Sequence, residues 1–224
     1  MRLQFVGKVR PLDRLSYLLY APDAVEIQEK WPLVIYLHGL SARGDDLSLL
    51  ETYGLPQVMA EGYKAPAFVA APQLPDGLFW AQRLELLSDW LDDVLARYPI
   101  DPDRVTLTGV SLGGYGVWYW GGWQPKRFAG LMPLCGGGNY LSAQAIQRET
   151  LPLWAISGDI DPVVPLSEMT RLMTIVTHSK ARQTIHEGAD HDDDRVHTSP
   201  YKDSEIWDWL NAVTIAVYEI GYFV

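Results

Sequence analysis

Short apolar runs alternate along this chain with longer stretches in which apolar residues return every third or fourth position. Seven runs carry a strand signal: "LSYLLYAP" (15–22), "PLVIYLHG" (32–39), "APAFVAAPQ" (65–73), "RVTLTGVS" (104–111), "GLMPLCGG" (130–137), "PLWAISGD" (152–159) and "RQTIHEGA" (182–189). Most are nearly continuous rather than alternating, which is the pattern of strands covered on both faces. The clearest helical stretch is 80–98, where Leu84, Leu87, Leu91 and Leu95 recur at three- and four-residue spacing before Pro99 ends the element. Strands alternating with such helices predict an α/β fold, a mostly parallel central sheet with helices on both faces. No internal repeat or composition break interrupts the pattern, so residues 1–224 read as a single domain, and the polar, proline-bracketed segment 21–32 reads as a surface turn. The C-terminal stretch 209–224 is apolar but interrupted by Glu219. At about 16 residues it is too short for a bilayer span and reads as a buried terminal helix.

Charge and cysteine content narrow the partners. A net charge of −10 without any Lys/Arg cluster is repelled by phosphate backbones, which removes nucleic acid. The lone cysteine, Cys135, cannot form an internal disulfide, and "MRLQFVGKVRPLDRL" at the start lacks the apolar core of a leader segment. Both lead to the expectation of a reducing, cytoplasmic setting. Cys135 lies in a strand run and reads as a buried core thiol. Oligomeric state has no signature here.

Residues 105–116, "VTLTGVSLGGYG", concentrate the chemistry. A β-branched strand stops at Gly109, a serine stands at 111, and Gly113 and Gly114 open a helix. In an open α/β sheet reactive groups collect beyond the carboxyl ends of strands, at the strand-to-helix turns. A sharp turn there needs neighbours without bulk: Gly109 and Gly113 clear the space around Ser111, and Gly114 lets the helix approach. A serine hydroxyl becomes a nucleophile only when a base takes its proton, and the base needs an orienting acid. "SGDIDPVVP" (157–165) offers Asp159 and Asp161, and "IHEGADHDDD" (185–194) offers His191, each after a strand. Asp161 is favoured over Asp159, which at the strand end is suited to hold the turn through backbone N–H groups. His197 is the runner-up base, while His186 falls inside a strand and reads as a half-buried sheet residue.

An oxyanion needs two positioned N–H donors. The backbone of Leu112, next after the nucleophile, supplies one. The loop beginning "YLHGLSARG" (36–44) supplies the other, from Leu40, with Gly39 letting the oxygen approach the backbone. His38 is expected to brace this loop by hydrogen bonding. Asp192, Asp193 and Asp194 beside His191 read as a solvated loop rather than a metal site, because consecutive carboxylates point in different directions. Trp118, Trp120 and Trp123 read as helix-packing bulk, and Trp80 with Phe79 as lining of a substrate pocket.

Taken together, "YLHG" (36–39), "DPDRVTLTGVSLGGYGVW" (101–118), "DIDPVVP" (159–165) and "HDDDRVHTSPYKDSEIWDWL" (191–210) resemble the α/β-hydrolase superfamily. The similarity is to phospholipase/carboxylesterase and polyhydroxybutyrate-depolymerase-like esterases, and it covers nearly the whole chain in the same order. The resemblance implies a Ser-His-Asp hydrolase that needs neither cofactor nor metal. In it Ser111 is the nucleophile, His191 the base, Asp161 the orienter, and Leu40 and Leu112 the oxyanion donors. The short connection between the strands at 130–137 and 152–159 leaves no room for a large lid, which suits a small-molecule ester, short or soluble. A prolyl-oligopeptidase-like serine peptidase, or a non-catalytic domain that binds a ligand or partner through the same cleft, are the alternatives.

Overall fold

The computed structural model describes the backbone of residues 2–5 and the full residues 15–23 and 30–215. Among the described residues eight strands form one sheet in the order β1-β2-β4-β3-β5-β6-β7-β8. They are β1 (Arg2–Phe5), β2 (Tyr17–Tyr20), β3 (Trp31–Leu37), β4 (Phe68–Pro72), β5 (Ile100–Val110), β6 (Gly130–Leu134), β7 (Leu153–Gly158) and β8 (Ala181–His186). β1 and β2 run antiparallel at one edge, and the six strands from β4 to β8 are parallel. The seven strand runs read from the sequence are β2 to β8. The edge strand β1 escaped because "RLQF" alternates over only four residues and has no continuous apolar run.

The near-continuous apolar strands have a two-sided explanation. Along β3, Leu33, Ile35 and Leu37 enter one core while Val34 and Tyr36 enter the other. Opposite faces of one strand thus feed two separate apolar clusters, as a side-chain period of two requires. Helices α2 (Leu84–Arg97), α3 (Leu112–Trp123), α4 (Tyr140–Arg148) and α5 (Ser167–Met173) cover the first core, whereas α1 (Gly54–Ala60) and α6 (Ser204–Ala212) cover the second.

The helix read at 80–98 begins four residues later, because Trp80–Gln82 forms a separate 3₁₀ turn before α2. At the other end of the chain the expected helix over 209–224 is corrected. α6 stops at Ala212 and Val213 is extended, while residues 216–224 lie outside the described residues. Half of the turn read at 21–32 lies outside them too, at 24–29. Among the described residues no helix is long and apolar enough to cross a membrane.

Candidate active site

β5 ends and α3 begins with Ser111 between them, and the glycines around it answer to backbone contacts. A Cβ on Gly109 would lie 2.6 Å from the Leu37 carbonyl oxygen, and one on Gly113 only 1.8 Å from the same atom. No side chain fits at either place, since both positions are pressed against the end of β3. Ser111 itself has φ 56° and ψ −116°, a conformation that costs a non-glycine residue on the order of 1–3 kcal/mol. The Ser111 N–H donates to the Leu134 carbonyl at 2.9 Å, and its own carbonyl accepts from the Tyr115 N–H at 3.0 Å. These bonds hold the strained residue from both sides and aim its hydroxyl past the end of the sheet.

There the hydroxyl meets His191. The Ser111 Oγ lies 2.9 Å from His191 Nε2, and His191 Nδ1 lies 2.7 Å from Asp161 Oδ2. The other carboxylate oxygen of Asp161 accepts the N–H groups of Val163 and Val164, both at 2.8 Å. With Oδ1 so occupied, Oδ2 is left to accept the Nδ1–H of His191. In that tautomer Nε2 turns its lone pair towards the Ser111 hydroxyl. The strand-end aspartate has the other job expected of it: Asp159 Oδ1 accepts the Gly188 N–H at 2.7 Å and fixes the turn after β8.

His197 does not reach Ser111. Its ring stands edge-on to His191 with centroids 5.7 Å apart and leans on Tyr53 at 6.0 Å. Burial, and then the neighbouring His191, lower its pKa, so it is a neutral packing partner of the imidazole that touches the serine. His186 is the last residue of β8 and half-buried.

The Leu112 N–H is the first of α3, and the Leu40 N–H opens a 3₁₀ turn at Leu40–Ala42. Neither donates to another protein group among the described residues. First-turn amides are the unpaired donors of any helix, and at α3 the macrodipole adds partial positive charge.

His38 braces the loop as expected. Its Nε2 accepts the Leu74 N–H at 2.9 Å, which leaves Nδ1 as the protonated nitrogen, donating to the Gly39 carbonyl at 2.6 Å. Burial lowers its pKa to about 4, so the ring is neutral. Trp80 joins the same arrangement through Nε1, which donates to the His38 carbonyl at 3.0 Å.

Tyr53 was not found by reading the sequence. Its hydroxyl accepts the Gly39 N–H at 2.7 Å and is also hydrogen-bonded to the Ser41 side chain, so it ties down the loop that carries Leu40. Only the glycine after it, Gly54 with φ +70°, marks the place as a built turn. Thr198 completes the link: its Oγ1 accepts the Gly54 N–H at 2.9 Å and connects that turn to the His191 loop.

Cys135 is fully buried, as expected, with a thiol pushed up to about 12 by burial and then by the Asp161 charge. It lies behind the site. Among the described residues the group of close potential metal ligands is Cys135, Asp161 and His191, with ligand atoms within 4.8 Å of one another. The acidic run is used otherwise: Asp193 pairs with Arg195 and Asp194 with the Ser199 hydroxyl. Trp118 and Trp120 are buried in the core, but Trp123 is 46% exposed and is not packing bulk. Beside Ser111 opens a cleft of about 430 Å³, lined by Leu40, Phe79, Trp80, Leu112, Tyr115 and Tyr119 among others.

This architecture is the α/β-hydrolase fold, and solved structures of that superfamily superpose on it. A thermostable esterase matches with a TM-score of 0.79 and 28% identity over 95% of this chain and 63% of its own. The chain therefore spans less than two thirds of that esterase. The feruloyl esterase module of Clostridium thermocellum complexed with sinapinate matches with a TM-score of 0.68 and 16% identity, over 95% of this chain and 87% of its own. The acylaminoacyl peptidase of Pyrococcus horikoshii matches at 0.69 and 16% identity, over 99% of this chain but 43% of its own. No protein-family model matches the sequence, and no curated protein does either.

Proposed function

We propose that the protein is a serine hydrolase that cleaves short or soluble carboxylic esters through an acyl-enzyme. The observation that carries this reading is the unbroken hydrogen-bond chain from Ser111 through His191 to Asp161. Ser111 Oγ attacks the ester carbonyl while His191 Nε2, within hydrogen-bond reach, takes its proton. Asp161 holds the tautomer and stabilises the imidazolium that forms. Negative charge gathers on the former carbonyl oxygen, where the N–H groups of Leu40 and Leu112 receive it. The imidazolium then gives its proton to the leaving alcohol, and a water activated by the same ring releases the acid. Every role falls to a protein group, so the reaction as proposed needs no cofactor.

The fold likeness to a thermostable esterase and a feruloyl esterase module supports ester chemistry. Likeness to an acylaminoacyl peptidase keeps a peptidase in view, although that protein is more than twice as long as the part matched. A fluorophosphonate probe followed by peptide mass spectrometry tests the nucleophile, with Ser111 the expected site of labelling. A p-nitrophenyl ester series set against p-nitroanilides separates the two chemistries: esters turned over and anilides spared is the expected result. A folded sample that takes no label would instead favour a domain that only binds.

A further inference from the structure

The cleft beside Ser111 belongs to one side of the reaction. Its lining includes Leu40 and Leu112, whose amides await the oxyanion, and does not include His191. In acyl transfer the leaving alcohol collects its proton from the base and so departs over the imidazole. The acyl group, bonded to the same carbon, must then lie on the side away from His191. We propose that this cleft is the acyl subsite and that it selects an uncharged aromatic acyl group, with Phe79 and Tyr119 as specificity-determining residues. The inference rests on the hydrolase reading above and names its substrate class.

The outward face of α3 carries the selection. Tyr115, Tyr119 and Trp123 recur every fourth residue, which sets them about 6 Å apart along the axis on one face of the helix. With Leu112 and Gly122 they are the half-buried and exposed positions of a helix otherwise sunk in the core. A solvent-facing helix surface ordinarily carries charge, but α3 has no charged residue anywhere. The aromatic row starts one turn from Ser111, and its first two rings line the cleft.

The floor is rigid. Trp80 is 1% exposed and pinned through Nε1, and it lies so close to α3 that a Cβ on Gly116 would come within 2.9 Å of its own Cβ. Phe79, next to it, is half exposed, with the Arg43 guanidinium 6.0 Å from its ring centre. Aliphatic acyl chains would gain only burial in such a cleft, whereas a planar ring gains offset or edge-to-face contacts as well. No charged side chain of either sign lines the cleft: the Arg43 guanidinium lies against the Phe79 ring, and the Glu168 carboxylate beside the Tyr115 hydroxyl is paired with Arg171.

The test compares p-nitrophenyl phenylpropanoate with p-nitrophenyl nonanoate, equal in acyl carbon number and identical in leaving group, and adds the acetate as a reference. The expected ratio of kcat/KM, phenylpropanoate over nonanoate, is about tenfold. Phe79→Ala and Tyr119→Ala, both at the surface, should each lower that ratio by about threefold or more. A wild-type ratio at or below one, or a ratio that neither variant moves, overturns the aromatic subsite. Acetate hydrolysis lost with Ser111→Ala, in the absence of any aryl preference, would remove this inference and leave the hydrolase standing. Failure to turn over all three esters would bring down both.

Discussion

The turn that carries Ser111 and the loop that carries His191 meet across a 2.9 Å hydrogen bond, yet they are held in different ways. At the turn the constraint is steric and comes from the main chain: Gly109 and Gly113 abut the Leu37 carbonyl so closely that no alternative residue fits. At the His191 loop side chains add to the backbone bonds. Asp159 grips Gly188, Asp193 grips Arg195, and Thr198 accepts from Gly54. In the proposed mechanism a strained nucleophile needs walls that cannot move, whereas the base needs only an orientation, which Asp161 would supply. Damage to the turn should therefore threaten the fold, and damage to the base loop should threaten turnover while sparing it.

The largest contrast is expected within the acid pair. Asp161→Asn cannot keep the Nδ1–H tautomer of His191 in place and should lower kcat by three to four orders of magnitude, with an unchanged melting temperature. Asp159→Asn should keep turnover within about tenfold and cost on the order of 1 kcal/mol of stability through a weakened turn bond. The reverse ranking in steady-state kinetics would reassign the acid.

On the steric side, Gly113→Ala drives a methyl into the Leu37 carbonyl and should destabilise the protein by about 4 kcal/mol or more, read by urea unfolding. A loss below about 1 kcal/mol would mean the turn is softer than its contacts imply. Tyr53→Phe probes the loop that carries Leu40. It leaves the Gly39 N–H without its acceptor, so kcat should fall about tenfold with KM little changed, because the oxyanion donor shifts rather than the substrate contacts. Equal falls in kcat for Tyr53→Phe and a remote control such as Tyr140→Phe would remove that positioning role.

His38 gives an effect that appears only on acidification, and a signed one. Its folded pKa of about 4 lies below the ordinary 6.5, so the unfolded chain takes up a proton that the folded chain refuses. Its contribution is complete above pH 6.5 and is withdrawn as pH falls from there through 4, by roughly 3 kcal/mol in all. Urea midpoints measured across that window should fall with acidification in the wild type, and less steeply in His38→Gln. A slope that is the same in both would show that the ring does not carry the dependence.

The same contrast explains what the sequence made legible. Steric constraints leave a residue-type record, so the glycines around Ser111 could be read directly, and the buried sheet appeared as uninterrupted apolar runs. That Asp161 and His191 would lie in reach of Ser111 could be read because each follows a strand, in the order serine, aspartate, histidine. Tyr53 was not, because its hydroxyl acts on a backbone group 14 residues away through folding and nothing near it in sequence marks the role. The acidic run after His191 misled less than it invited, since the carboxylates of Asp193 and Asp194 are spent on local partners. Trp123 was misread as packing because a helix without charge looks buried all round, and only coordinates reveal which of its faces meets solvent.

The central claim is that Ser111 is acylated during turnover. Rapid mixing with p-nitrophenyl acetate, acid quenching and peptide mass spectrometry measure this directly. A burst approaching one p-nitrophenol per chain, with an acetyl group on Ser111 that is absent from Ser111→Ala, is the predicted result. Steady hydrolysis by the wild type with no adduct at Ser111, or with the acetyl group on another residue, would contradict it.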